Sequence, residues 1–319
     1  MCRVMLFAIS RRAAVDRGLR FIFEHSLAGE NFDDWAGDYL WCFLCISRTA
    51  IDPDLRLRAR EMGAQSARRW YARETELPAL ADAGEAAYYI SLIDVSSRLG
   101  VDDDGLREHV RQRYRGFTAR DYLGFDPARE APPALGPRSR YDVWCDALVL
   151  TYTADGCGMP LSASHADVAR WAPAMRPYPN PEAAGAAEFR DVVYAITHLV
   201  YTLNDYNRFL LSPEWLPQEF DYLRMHLKRP LEAHDPELLG EFVDCLRAFG
   251  LPDTDPAVAA GIDYLLRTQN ADGSWGDAGD ADVHKRYHTT WTAIDALRDY
   301  QWAELAEAPA VVRRSLCEP

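Results

Sequence analysis

Six ionisable residues recur at matching places along the chain: Asp38, Glu85, Asp146, His198, Glu241 and His288. Each lies in an apolar stretch. The residue three further on is Trp41, Tyr88, Val149, Tyr201, Asp244 or Trp291, so most of the six precede an aromatic at one spacing. Positions i, i+3 and i+4 share a face of a helix. The spacing therefore predicts a ring of carboxylates and imidazoles beside a layer of aromatics. Such groups facing one low-dielectric space repel or desolvate one another unless water or a cation compensates them. Two imidazoles with two or more carboxylates suit a divalent metal, iron first, with manganese, zinc or copper as alternatives. The expected ligands are His198 and His288, then Asp146, Glu241, Asp38 and Glu85. With open positions the ion binds O₂, activates water or polarises a carbonyl. The expected function is a metal-dependent oxidoreductase, a non-haem iron oxygenase or oxidase, acting on a small, largely apolar metabolite.

Other readings fit the same residues. A lone buried His is ordinarily a satisfied core residue, and Asp or Glu in a first turn complements the helix dipole; Asp38 and Glu85 invite that explanation most. Asp146 or Asp142 in an apolar pocket could instead act as a metal-free acid that protonates an alkene. Trp41, Tyr88, Tyr89, Trp144, Tyr201 and Trp291 would then line the substrate cavity and stabilise cationic intermediates, or simply pack the core. A third possibility is a protein that binds an apolar ligand without turnover. His284 stands in the stretch before His288, where a surface role is expected. Cys42 and Cys45 form C-x-x-C on a predicted helix with no second pair, so they do not define a zinc ribbon or a redox motif. No Walker loop, dinucleotide fingerprint or G-x-S-x-G elbow is present.

The elements that must carry these residues are helices. Segments such as "PDLRLRAREMGAQSARRWYARE" and "PAVAAGIDYLLRTQ" place apolar residues at three- and four-residue intervals, with charges between them. More apolar segments alternate with them: "GDYLWCFLCISRT", "GEAAYYISLIDVSSRL", "YDVWCDALVLTYTA", "YAITHLVYTLNDY", "LGEFVDCLRAFG" and "YHTTWTAIDALRDY". A helix apolar nearly all round is buried on all sides. The midpoints of these segments recur at roughly 45 to 60 residues, a spacing typical of repeat architectures. The predicted fold is all-α, an (α/α)6 toroid of six inner and about six outer helices around a central cavity. It forms one domain over residues 1–319, since no composition shift marks a boundary.

The stretch "QNADGSW" adds a resemblance. Gln269, Gly273 and Trp275 match the Q-x-x-x-G-x-W motif of the terpenoid cyclase and protein prenyltransferase superfamily, whose fold is an α/α toroid. In that superfamily the Gln ends an outer helix and the Trp packs over it, against the next inner helix. The resemblance also implies a metal role for Tyr287 and His288, because "RYHTTW" is similar to the start of the last inner helix in prenyltransferases. Their Asp and Cys ligands two residues apart are not reproduced, as Asp244 and Cys245 are adjacent. The cyclase acid motif D-x-D-D is also altered: Asp142 holds its first place, but Trp144 and Cys145 hold the acid positions.

Composition bounds the partners. The net charge of -14 argues against nucleic acid or an anionic membrane surface. The 48% hydrophobic content is ample for a core. Seven irregularly spaced cysteines fit a reducing compartment. The opening "MCRVMLFAISRR" has its basic pair after the apolar run, the wrong order for a secretory signal, and no segment reaches the length of a membrane span. A cytoplasmic location and a small apolar substrate are expected; the sequence leaves the oligomeric state open.

Overall fold

The computed structural model describes residues 2–28, 32, 35–73 and 76–303, with side chains in the first helix from position 11 onward. The reading of the opening stretch thus falls largely outside the described side chains. The longer helices are α1 (Cys2–Ser26), α2 (Ala36–Thr49), α3 (Pro53–Tyr71), α4 (Ala83–Arg98), α5 (Asp104–Arg113), α6 (Arg140–Cys157), α7 (Pro181–Leu203), α8 (Pro217–His226), α9 (Pro236–Ala248), α10 (Pro256–Thr268) and α11 (Val283–Leu297). Only isolated bridges such as Ala50 with Tyr300 pair extended backbone among the described residues, so the protein is all-α. No described helix is long and apolar enough to cross a membrane.

Local chemistry sets the helix starts. Asp82, Asp103, Asp235, Asp255 and Asp282 each precede a helix and accept backbone N–H bonds from its first turn, and Ser139 does the same for α6. Such caps contribute about 0.5–2 kcal/mol each. Part of the acidic excess is therefore spent on helix termini. Pro at the first position of α9 and α10 reinforces the start, where its missing N–H costs nothing.

The contacts gather the chain into two compact units, each assembled from separated stretches. The first unit takes the described residues of Met1–Ala67, Asn207–Ser212 and Phe220–Glu304. In it α9 packs against α10 and α11, and α1 packs against α11. Helix α9 is buried all round, with Leu239, Phe242, Val243 and Leu246 inaccessible. Helix α10 buries only Val258, Gly261, Ile262 and Leu265, one face of an amphipathic helix. Gly240 lets α9 approach α11 closely: a Cβ there would stand 2.7 Å from the Thr292 carbonyl oxygen.

The Gln269 turn ties three helices of this unit together. Gln269 follows α10 as its C-cap, and its Nε2 donates to the carbonyl oxygens of Ala14 and Gly273 at 2.8 and 2.9 Å. Trp275 is fully buried and donates from Nε1 to the Leu265 carbonyl, 2.7 Å. Its backbone N–H donates to Thr290 Oγ1 on α11, 3.2 Å. Gly273 has φ +95°, and a Cβ there would meet the Arg17 carbonyl oxygen at 2.6 Å. These three residues are structural: they close the end of α10 onto α1 and α11.

The second unit takes Arg68–Tyr206 and Pro213–Glu219. Helix α6 packs against α4 and α7, with Trp144, Leu148, Val192, Ile196 and Leu199 in the core. Glu219 is completely buried and accepts both Arg176 N–H bonds, at 2.8 and 2.7 Å, together with the Tyr178 hydroxyl at 2.5 Å. A fork-shaped pair of this kind satisfies a buried carboxylate.

Candidate functional site

The first unit concentrates the chemistry at the start of α11. Asp282 caps that helix and sets its phase, so His284, His288, Trp291 and Asp295 fall on one face. Glu237 and Glu241, one turn apart on the facing helix α9, and Asp38 in the first turn of α2 complete the set.

His288 Nδ1 meets Glu237 Oε1 at 2.9 Å, with the two side chains 14% and 12% exposed. That is enough shelter to strengthen the bond while leaving the pair within reach of a ligand. Burial disfavours the imidazolium. The Glu237 hydrogen bond and the charges of Glu237, Glu241 and Asp38 outweigh it, and the His288 pKa is pushed up to about 9. His288 is a cation at neutral pH. The Tyr287 hydroxyl donates to Asp38 Oδ2 at 2.8 Å; burial first, then the Asp38 charge, raises its pKa, so Tyr287 stays neutral.

Aromatic rings close around these groups. The His284 and His288 rings lie 4.9 Å apart and only 15° from parallel. Trp35, at the N-terminus of α2, meets His284 at 4.6 Å with the rings tilted. Tyr39 lies 4.2 Å from Tyr287, and Trp291 meets His288 edge-on at 5.9 Å. Burial, then the neighbouring His288 charge, lowers the His284 pKa.

A second polar layer follows near the other end of α11. Asp244 accepts from the Tyr300 hydroxyl and Asn207 Nδ2, both at 2.6 Å. Arg298 donates to Asp295 at 2.6 Å and to Thr49 Oγ1 at 2.8 Å, and lies over the Tyr300 ring. Burial raises the Asp244 pKa, and the nearby Asp295 charge adds to the effect. These bonds brace the ends of α2, α9 and α11.

The residues expected from sequence divide between the two units. Asp38, Glu241, Tyr287, His288, Trp41 and Trp291 belong to the first, and Glu85, Asp142, Asp146, His198, Tyr88, Tyr89, Trp144 and Tyr201 to the second. Glu85 accepts from the Ala81 backbone N–H at 2.6 Å, a helix-terminal role. Asp142 and Asp146 both pair with Arg138, and the Asp146 side chain is 57% exposed, far from the apolar pocket an alkene-protonating acid needs. His198 Nδ1 donates to the Tyr194 carbonyl at 2.9 Å. Trp144 is inaccessible and donates to the Val168 carbonyl at 3.1 Å, Trp41 is buried, and Tyr88 packs edge-on to Tyr89. Among the described residues no group of three or more His, Cys, Asp or Glu has an arrangement that could hold a metal ion.

Two site residues depart from the sequence reading. His284 lies in the first turn of α11, inside the aromatic stack, instead of on a surface loop. The carboxylate bonded to His288 is Glu237, one turn before Glu241.

A groove of about 880 Å³ opens elsewhere in the first unit, lined by residues including Arg11, Arg12, Ile51, Asp52, Asp253 and Asp299. It lies at the Leu297–Asp299 end of α11, roughly 15 Å along the helix from His288. Its arginines are engaged in place, Arg11 with Asp253 at 2.5 Å and Arg12 with Asp52 at 3.0 Å. The His288–Glu237 pair and the stacked imidazoles are at the other end, which is the candidate site.

No protein-family model, curated protein or solved structure matches the chain.

Proposed function

We propose that the protein is an enzyme in which His288, oriented by Glu237, acts as general acid on a small, largely apolar substrate. The observation that carries this reading is the 2.9 Å His288–Glu237 bond inside an aromatic enclosure. A carboxylate on Nδ1 fixes the tautomer and stabilises the imidazolium, leaving Nε2 as the nitrogen directed to chemistry. Trp35 and Trp291 supply an apolar surface against which the body of a substrate packs.

Metal-dependent oxidation, the first expectation from sequence, rests on the spacing of the six ionisable residues. Among the described residues the donors do not form a metal-holding group. Elemental analysis of the purified protein tests that expectation directly. The helix period and the Gln269–Trp275 turn support an α/α toroid of the kind the terpenoid cyclase and protein prenyltransferase superfamily uses.

The test is an NMR titration of the imidazoles in wild type, Glu237→Gln and His288→Gln. His288 is expected to titrate near 9 in wild type and at least one unit lower in Glu237→Gln, because burial persists while the countercharge is gone. A wild-type His288 that is already neutral at pH 7 sinks the acid role.

A further inference from the structure

The stacked pair His284 and His288 extends that reading to a reaction class, and the inference rests on the acid role of His288. The two imidazoles have different partners. His288 Nδ1 is bonded to Glu237. The His284 ring has no side-chain hydrogen bond among the described residues; it stacks on His288 at 4.9 Å and meets Trp35 at 4.6 Å and Tyr287 edge-on at 5.4 Å. The charged groups facing the pair are Glu237 and Glu241 from α9, Asp38 from α2 and Asp282 from the cap of α11 itself.

We infer that His284 is the general base partner of His288, and that the pair enolises a carbonyl substrate. An imidazole bonded to a carboxylate is the proton donor of the two, and one held by ring contacts alone keeps a lone pair for accepting. Parallel rings 4.9 Å apart also fit the geometry of the task. Standard bond lengths put a carbonyl oxygen roughly 2.4 Å from its α-carbon, a span of the same order as the ring separation, so the two imidazoles can reach one enolisable unit.

The step balances without a further reactant. His284 takes a proton from the α-carbon; the C–H electron pair becomes the new C=C bond. The carbonyl π pair moves to oxygen, which receives the proton of His288 Nε2. Return of a proton from His284 to the same or a conjugated carbon, and of the oxygen's proton to His288, completes racemisation, exchange or double-bond migration. The substrate class is a small enolisable ketone or aldehyde with an apolar body.

The test uses 3-cyclohexen-1-one as probe, in D₂O, with proton NMR following α-hydrogen loss and migration to the conjugated enone. Wild type is compared with His284→Gln, His284→Phe and His288→Gln, each first shown to be folded by circular dichroism. The inference expects catalysed exchange in wild type, with a bell-shaped pH profile, and a fall of about 100-fold or more in all three variants. His284→Phe keeps a ring against Trp35, so its loss of exchange separates the base from the stack. Exchange unchanged in both His284 variants overturns the pairing while leaving the His288 acid standing. No exchange above buffer in wild type overturns enolisation, and the separate titration of His288 decides the acid reading on its own.

Discussion

At the scale of single residues, the partner of His288 shows both what sequence spacing reveals and where it stops. The alignment found His288 and the α9 carboxylates because acids and imidazoles at one helical offset are visible without a structure. It took Glu241 in place of Glu237. Residues one turn apart share a face, and only the stagger of α9 against α11, set by Gly240 and Thr292, decides which of the two meets the imidazole. Glu237→Gln tests that bond energetically. A hydrogen bond to a charged, largely sheltered partner is worth about 1.5–3 kcal/mol, so the variant is expected to lose about 2 kcal/mol of unfolding free energy at pH 7. His288 has a folded pKa raised above its ordinary value. Its contribution is therefore complete below about 6.5 and is lost as pH rises through about 9. Denaturant unfolding at pH 7 and pH 10 should show the variant and wild type converging at the higher pH; an equal deficit at both would mean that the Glu237 contact does not depend on the charge of His288.

At the scale of elements, close approach and caps do most of the positioning. Gly240 sits inside α9 where a Cβ would press on Thr292 at 2.7 Å. Backbone cannot give way cheaply, so Gly240→Ala is expected to destabilise by about 1–3 kcal/mol, although Ala is otherwise the better helix former. A thermal melt reads this, and an unchanged or raised Tm would mean that α9 shifts freely against α11. The helices themselves were legible: α10 shows its single apolar face, α9 its uniform apolarity, and aspartates stand at most of the starts. The Gln269–Gly273–Trp275 turn was legible as well, as a device that ends one helix and packs on the next. The gathering of separated stretches into two units was not, because composition is even along the chain and long-range packing leaves no local signal. For the same reason His198 and His288, equivalent in the alignment, have different local partners: a backbone carbonyl for one, a carboxylate for the other.

At the scale of the whole molecule, buried titratable groups set a window of stability that the net charge alone does not indicate. His165 is buried in the second unit, and its Nε2 has no hydrogen-bond partner among the described residues. Burial lowers its pKa to about 4. A depressed imidazole contributes its full stability above the ordinary 6.5 and loses it as pH falls through 4, because the unfolded chain takes the proton first. The loss amounts to about 3 kcal/mol once both states are protonated. His288 gives the opposite slope above 6.5, fading through 9. Asp244 opposes the acid-side loss, since its raised carboxyl costs stability as pH climbs past the ordinary carboxylate value. Below pH 6.5 the His165 and Asp244 effects largely offset each other, and above it the His288 contribution fades, so the three groups together favour the folded state most below about pH 7. His165→Phe isolates the acid limb: a ring of similar size fills the site, packs edge-on to Tyr152 as the imidazole does, and leaves no orphaned nitrogen. The variant is expected to match or exceed wild-type Tm at pH 7. Its advantage should widen by several degrees between pH 6.5 and pH 4, where wild type must either protonate a buried ring or unfold. A constant difference across that range would place the acid sensitivity elsewhere, in the ion-paired carboxylates that both proteins share.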